Sequence, residues 1–324
     1  CTLSDTELRW LERRAAGGFG IVATCAAHVA RDGQGWAGEL GVFDDAHVPG
    51  LARLSGAMHR RGALALAQIF HGGLRADPKV TGERPWSASA TDDGPRAATT
   101  DDIERVIERF GDAARRSQEA GMDGVEIHGA HGYLLTQFLS RVENRRTDEW
   151  GGSLENRARL LREVTRTVRA RVPRSFVVGV RISPEDFGNA KGMDLDENLT
   201  VAKWLVDDGA DFIHLSLWDV AKNSTKRPDR HALAEFRAAL PPATKLMVAG
   251  KIWSRGDADR MFEMGADFVA LARAAILNPD WPARAADPHW EPKRPPATAE
   301  ELVERDVSPP FVEYLRKFKG LVAP

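Results

Sequence analysis

Short, nearly continuous apolar runs recur along this chain, and four of them follow a glycine that ends a helix-like segment. The junctions are Gly18-Phe19-Gly20-Ile21, Gly121-Met122-Asp123-Gly124-Val125, Gly209-Ala210-Asp211-Phe212-Ile213 and Gly265-Ala266-Asp267-Phe268-Val269. Glycine ends a helix well because it enters the left-handed conformation at little steric cost. Apolar runs without strict alternation suit parallel strands buried on both faces. The pattern predicts strands over 19–26, 63–70, 124–129, 177–183, 212–217, 245–250 and 268–273, with helices between them. The first helix starts at Asp5, with Ser4 and Glu7 spaced as a capping box. Another follows Thr100 and carries Ile103, Val106, Ile107 and Phe110 on one stripe.

Strand and helix alternating over this length predict an α/β chain folded as a (βα)8 TIM barrel, of which seven strands are readable. Residues 1–324 read as one barrel domain. Segment 76–100, rich in Pro, Thr, Asp and Gly, reads as a long loop shaping the active-site end. The tail over 287–324 is polar and punctuated by prolines, with one aromatic stretch from Phe311 to Phe318. It is placed to close the barrel base or to reach a neighbouring subunit.

Composition narrows the function classes. Hydrophobic residues make up 43% of the chain, enough for a large core, and no apolar run approaches the ~20 residues that span a bilayer. A net charge of -2 with interspersed signs gives no reason to expect nucleic acid or a membrane surface. The opening CTLSDTELRW lacks the basic-then-apolar plan of a signal peptide. The two cysteines, Cys1 and Cys25, cannot build a disulfide framework or a four-cysteine iron–sulfur site. They point to a reducing compartment, the cytoplasm.

Candidate chemistry gathers where predicted strands end, the face on which barrel active sites are built. His128, His131 and Tyr133 follow the run Val125-Glu126-Ile127 within six residues. Such a trio can converge on one small ligand, two side chains gripping an oxygen and one moving a proton. In Val178-Gly179-Val180-Arg181-Ile182-Ser183, alternation sends Gly179, Arg181 and Ser183 to one face, towards the interior. A buried guanidinium is costly unless an anion or strong acceptor meets it. Gln68 ends another strand, before His71-Gly72-Gly73, and can both donate and accept.

The stretch EIHGAHGYLLTQFLSRVENRRTDEWGGSLENR resembles the Old Yellow Enzyme family of FMN-dependent ene-reductases. That family carries a His-x-x-His or His-x-x-Asn pair followed by Gly-Tyr, and a downstream run like RRTDEWGGSLENR. Arg141 stands where the family usually has proline. The resemblance runs from Leu3 to about Trp281 and implies FMN as bound cofactor and NAD(P)H as co-substrate. It implies that His128 and His131 polarise a carbonyl or nitro group and that Tyr133 protonates the α-carbon. Arg181 and Gln68 would meet the flavin pyrimidine ring, with Cys25 beside the flavin. Gly250, Ala272 (glycine in the family) and Arg273 would hold the phosphate. The implied substrate is an activated alkene, such as an enone, enal, nitroalkene or maleimide, and the implied assembly is a homo-oligomer. The family's chain begins with a strand that crosses beneath the flavin. This sequence opens in what reads as the loop before the first helix, so a missing front strand is expected.

Other readings stand beside this one. His128, His131 and Glu126 could hold a divalent metal, Arg181 could pair structurally with Glu126, and His71 could only order its loop. The barrel could act oxidatively as a desaturase or demethylase, or be a non-catalytic scaffold.

Overall fold

The computed structural model describes residues 1–92 and 94–324. Seven strands form its parallel sheet: β1 (Ile21–Ala23), β2 (Leu64–Phe70), β3 (Gly124–Gly129), β4 (Val177–Ile182), β5 (Phe212–Ser216), β6 (Lys245–Ala249) and β7 (Phe268–Ala270). A two-residue strand, Ala27–His28, adds to the upper end of β2. The main helices are α1 (Asp5–Ala16), α2 (Val48–Arg60), α3 (Thr100–Glu119), α4 (Leu134–Leu139), α5 (Leu154–Arg171), α6 (Leu195–Asp207), α7 (Ala232–Ala239), α8 (Arg255–Glu263) and α9 (Arg273–Leu277). Strands pair in chain order, each parallel to the next, with helices in the connections between them. The sheet curls into an incomplete barrel, and among the described residues no pairing joins β7 to β1.

The glycine junctions do what their spacing predicts. Gly18, Gly121, Gly209 and Gly265 take φ of 96°, 73°, 104° and 98°, the region where a side chain is strained. The aspartates two residues later add a second device. Asp123, Asp211 and Asp267 accept the backbone N–H of Ala65, Val178 and Leu246 at 2.7, 2.8 and 2.9 Å. Each carboxylate thus ties the start of its own strand to the start of the preceding one, which sets register across three crossovers.

Local departures have local causes. Ser4 caps α1 through the Glu7 N–H at 3.1 Å, but the Glu7 carboxyl does not return to the Ser4 N–H. Only half of the expected capping box forms. Full boxes form on α3, where Thr99 and Asp102 satisfy each other's backbone N–H groups, and on α8, where Ser254 and Asp257 do the same. The run expected over 268–273 is strand only to Ala270; Ala272 caps α9 and Arg273 is its first residue. Segment 76–100 is not bare loop either, since it holds a short helix, Pro78–Thr81, and a ladder of Trp86–Ser87 on Arg96–Ala97. In the tail, Leu302, Val312 and Leu315 pack with Trp253, Ile276 and Leu277 in a second apolar cluster. There the tail flanks α1 and α9, with Trp10 and Phe311 edge to face at 5.8 Å.

Candidate active site

His128 is the fifth residue of β3, and the turn after it brings His131 and Tyr133 back over the strand end. His131 adopts φ 62°, an uncommon conformation for a non-glycine residue, and its N–H donates to Ser183 Oγ at 3.1 Å. The two imidazoles meet edge to face at 4.9 Å, and the Tyr133 ring lies 5.0 Å from His128. Their protons can be traced along a chain. The Ala130 N–H donates to His128 Nδ1 at 3.3 Å, so the His128 proton sits on Nε2 and points to His131 Nδ1 at 3.2 Å. His131 Nε2–H then donates to Ser216 Oγ at 2.6 Å, an oxygen that also accepts from the Arg181 guanidinium at 3.0 Å.

Burial first, then the proximity of His131 and the Arg181 guanidinium, push His128 well below the usual imidazole range. Burial and Arg181 take His131 down to about 3. Both rings are therefore neutral hydrogen-bond donors at physiological pH. Burial moves the Tyr133 phenol the other way, upward, against the opposing pull of Arg75, whose guanidinium lies 4.2 Å over the ring. The phenol keeps its proton.

The predicted cofactor residues of β4, β6 and β7 converge. Arg181, Gly250, Ala272 and Arg273 line one cavity of about 200 Å³ together with His131 and Ser216. Three cations, Arg181, Lys251 and Arg273, face it, and no described lining residue is a carboxylate. Gly250 has φ 152°, and a Cβ there would fall 2.4 Å from the Leu217 carbonyl oxygen, so only glycine lets the backbone approach this closely. Ala272 has φ -109°, outside the left-handed region, which explains how alanine stands in for glycine. The buried Nε of Arg181 has no partner within the protein. An unpaired guanidinium N–H beside a cationic, acid-free recess fits FMN, whose ring edge offers acceptors and whose phosphate is anionic.

Gln68 and Cys25 do not line that cavity. Gln68 donates its amide N–H to Glu126 Oε1 at 2.6 Å. Cys25 is exposed to solvent. The surrounding protein, then Glu7 and Glu39, push its thiol up to about 12. His71 orders loops: Gly73 N–H donates to its Nδ1 at 3.1 Å and its Nε2 meets Asp32 at 3.4 Å. Arg181 bonds Ser216 rather than forming an ion pair with Glu126. Among the described residues no group of three His, Cys, Asp or Glu is disposed to hold a metal. Ser216, Arg75, Lys251 and His214 were absent from the sequence reading. Ser216 alone left a signal, as a hydroxyl at a strand's C-terminal end.

The model of the NADH:flavin oxidoreductase / NADH oxidase family matches residues 2–289, and the chain belongs to that family, the family of Old Yellow Enzyme. It is 34% identical over 297 residues to the probable NADH-dependent flavin oxidoreductase YqiG of Bacillus subtilis, covering 88% of this chain and 79% of that one. Against the NADH:fumarate oxidoreductase of Klebsiella pneumoniae identity is 33% over 297 residues, 87% of this chain but only 32% of that much longer protein. Among solved structures, the Old Yellow Enzyme homologue from Zymomonas mobilis superposes with a TM-score of 0.81 at 28% identity, over 93% of this chain and 87% of that one. The protein is an NAD(P)H-dependent flavin oxidoreductase with FMN as its cofactor. No described helix is long and apolar enough to cross a membrane.

Proposed function

We propose that this chain reduces the C=C bond of activated alkenes, namely enones, enals, nitroalkenes and maleimides, by a ping-pong cycle with NAD(P)H. The observation that carries this reading is the junction of two features. A recess lined by three cations and no carboxylate adjoins a pair of neutral imidazoles and a protonated phenol.

In this reading Arg181 and Gln68 hold the flavin pyrimidine edge, with Cys25 beside the ring. Gly250, Ala272 and Arg273 hold the phosphate, Lys251 adding charge. Bound FMN would supply the two-electron hydride chemistry, accepting from the nicotinamide and delivering to the alkene. The histidines act on the substrate oxygen. The His128 Nε2–H now shared with His131 Nδ1 is the proton an incoming carbonyl takes over. For His131 to donate from Nδ1 as well, its proton leaves Nε2 and the Ser216 hydroxyl turns from acceptor to donor. Two neutral donors polarise the alkene and meet the enolate charge without pre-paying the burial of a cation. Tyr133, held protonated by burial, delivers a proton to the α-carbon.

Replacing both histidines, His128→Ala with His131→Ala, is expected to lower alkene turnover by about 10²-fold or more while FMN retention falls far less. Steady-state kinetics with cyclohexenone beside the flavin-to-protein absorbance ratio checks it; unchanged turnover would remove the two histidines from the reaction. The reading also includes a cytoplasmic homo-oligomer, for which light scattering on the purified protein is the check.

A further inference from the structure

One buried group bridges side chains of β2 and β5 across the site's deep wall yet has no part in the chemistry above. Glu126 of β3 is 3% exposed, and both of its oxygens are engaged. Oε1 accepts from Gln68 Nε2 at 2.6 Å and Oε2 meets His214 Nδ1 at 2.6 Å. Gln68 and Glu126 are register partners across β2 and β3, and Arg181 and His214 are register partners across β4 and β5. Burial works against the Glu126 charge, but the hydrogen bonds from His214 and Gln68 and the nearby Arg181 guanidinium outweigh it and hold the carboxyl below the usual carboxylate range.

An ionised carboxylate only accepts hydrogen bonds. Gln68 must therefore turn its NH₂ to Glu126, which leaves its carbonyl oxygen for other partners. His214 carries its proton on Nδ1, and its bare Nε2 is buried without a partner. Burial holds His128, His131 and His214 below the usual range, so none of the three adds a positive charge here. Behind the cavity, Glu126 is then a fixed anion that partly offsets the one fixed cation of this layer, Arg181. In a low-dielectric interior such a charge acts over several ångströms.

We propose that Glu126 is a tuning residue: its buried negative charge disfavours the extra electron density of reduced FMN and so keeps the bound flavin a strong hydride donor. Resting on the flavin reading above, the inference assigns Glu126 a role through the electrostatics of the site, with Gln68 orientation as its geometric part.

The test is the two-electron midpoint potential of the FMN-loaded protein, equilibrated with reference dyes, for the parent and for Glu126→Gln. Glutamine keeps the volume and can satisfy both neighbours, because its carbonyl accepts from Gln68 and its NH₂ donates to a His214 that has moved its proton to Nε2. Preference for reduced over oxidised FMN is expected to rise at least ten-fold, an upward shift of about 30 mV for a two-electron couple. Stopped-flow should show flavin reduction by NADPH becoming faster and reoxidation by the alkene becoming slower. A merely structural defect would slow both. Glu126→Met removes the charge and the need for partners, and takes the place of the glutamine variant if that does not accumulate. An unchanged potential in a stoichiometrically loaded variant, or two half-reactions slowed together, overturns this proposal alone. A parent protein that binds no FMN overturns it together with the flavin reading.

Discussion

The wall from β2 to β5 and the seam between β7 and β1 are built from the same kind of short apolar strand, yet they differ in how firmly they are held. Six residue pairs register β3 on β4, whereas β1 on β2 and β7 on β6 have three each. Every residue of β3 and β5 is buried; in β7 Phe268 is exposed at 39% and its two neighbours only half-buried. The wall carries the groups whose positions must be exact to a fraction of an ångström: the histidine pair, Tyr133, Arg181 and Glu126. The seam carries the end of the cavity formed by Ala272 and Arg273, where backbone and charge suffice to hold a phosphate. Strand pairing and burial are most extensive where hydrogen-bond direction matters most.

Perturbations of equal size should therefore have unequal consequences. The largest contrast is expected between Gly179→Ala and Phe268→Ser. A Cβ on Gly179 would sit 2.0 Å from the Phe212 ring, an overpacking worth about 1–3 kcal/mol and a fall of several degrees in Tm. The exposed Phe268 should change stability by about 0.5 kcal/mol or less. Scanning calorimetry of the two variants decides it, and equal losses would break the comparison. Next come the register aspartates. Asp211→Asn and Asp267→Asn each weaken a charge-assisted bond to a strand N–H and should each cost about 1–2 kcal/mol. Only the second should also weaken FMN binding, since β7 leads into Ala272 and Arg273; flavin fluorescence titration would show it.

A smaller effect follows from pH. His128 and His131 have folded pKa values pushed below 6.5, so between about pH 6.5 and 3 the unfolded chain binds more protons than the folded one. Their contribution to stability is complete above pH 6.5 and lost progressively as pH falls below it. Urea midpoints at pH 7, 6 and 5 should decline, and the His128→Ala/His131→Ala protein should decline less steeply. Equal slopes would mean that the pair is not buried neutral.

What was legible in the sequence was whatever is local. The glycine junctions announced strand starts because a left-handed helix end is a property of one residue. His128, His131 and Tyr133 were readable as a cluster because one turn holds all three. The aspartates of the same junctions were visible as a repeat, but their bond to the preceding strand depends on register and was not. Glu126, Gln68 and His214 lie 58 and 88 residues apart along the chain, and only the curl of the sheet joins them. The end of β7 was misplaced because Leu271-Ala272 is as apolar as the strand before it, and apolarity alone does not separate a strand from the helix that follows.

The measurement closest to the central claim is the visible absorption spectrum of the purified protein incubated with FMN and desalted, taken before and after anaerobic NADPH. The cationic, acid-free cavity predicts retained flavin bands in the blue and near-ultraviolet, at one flavin per chain, that bleach on adding NADPH. A colourless protein after incubation, or retained flavin that NADPH leaves oxidised, would contradict it.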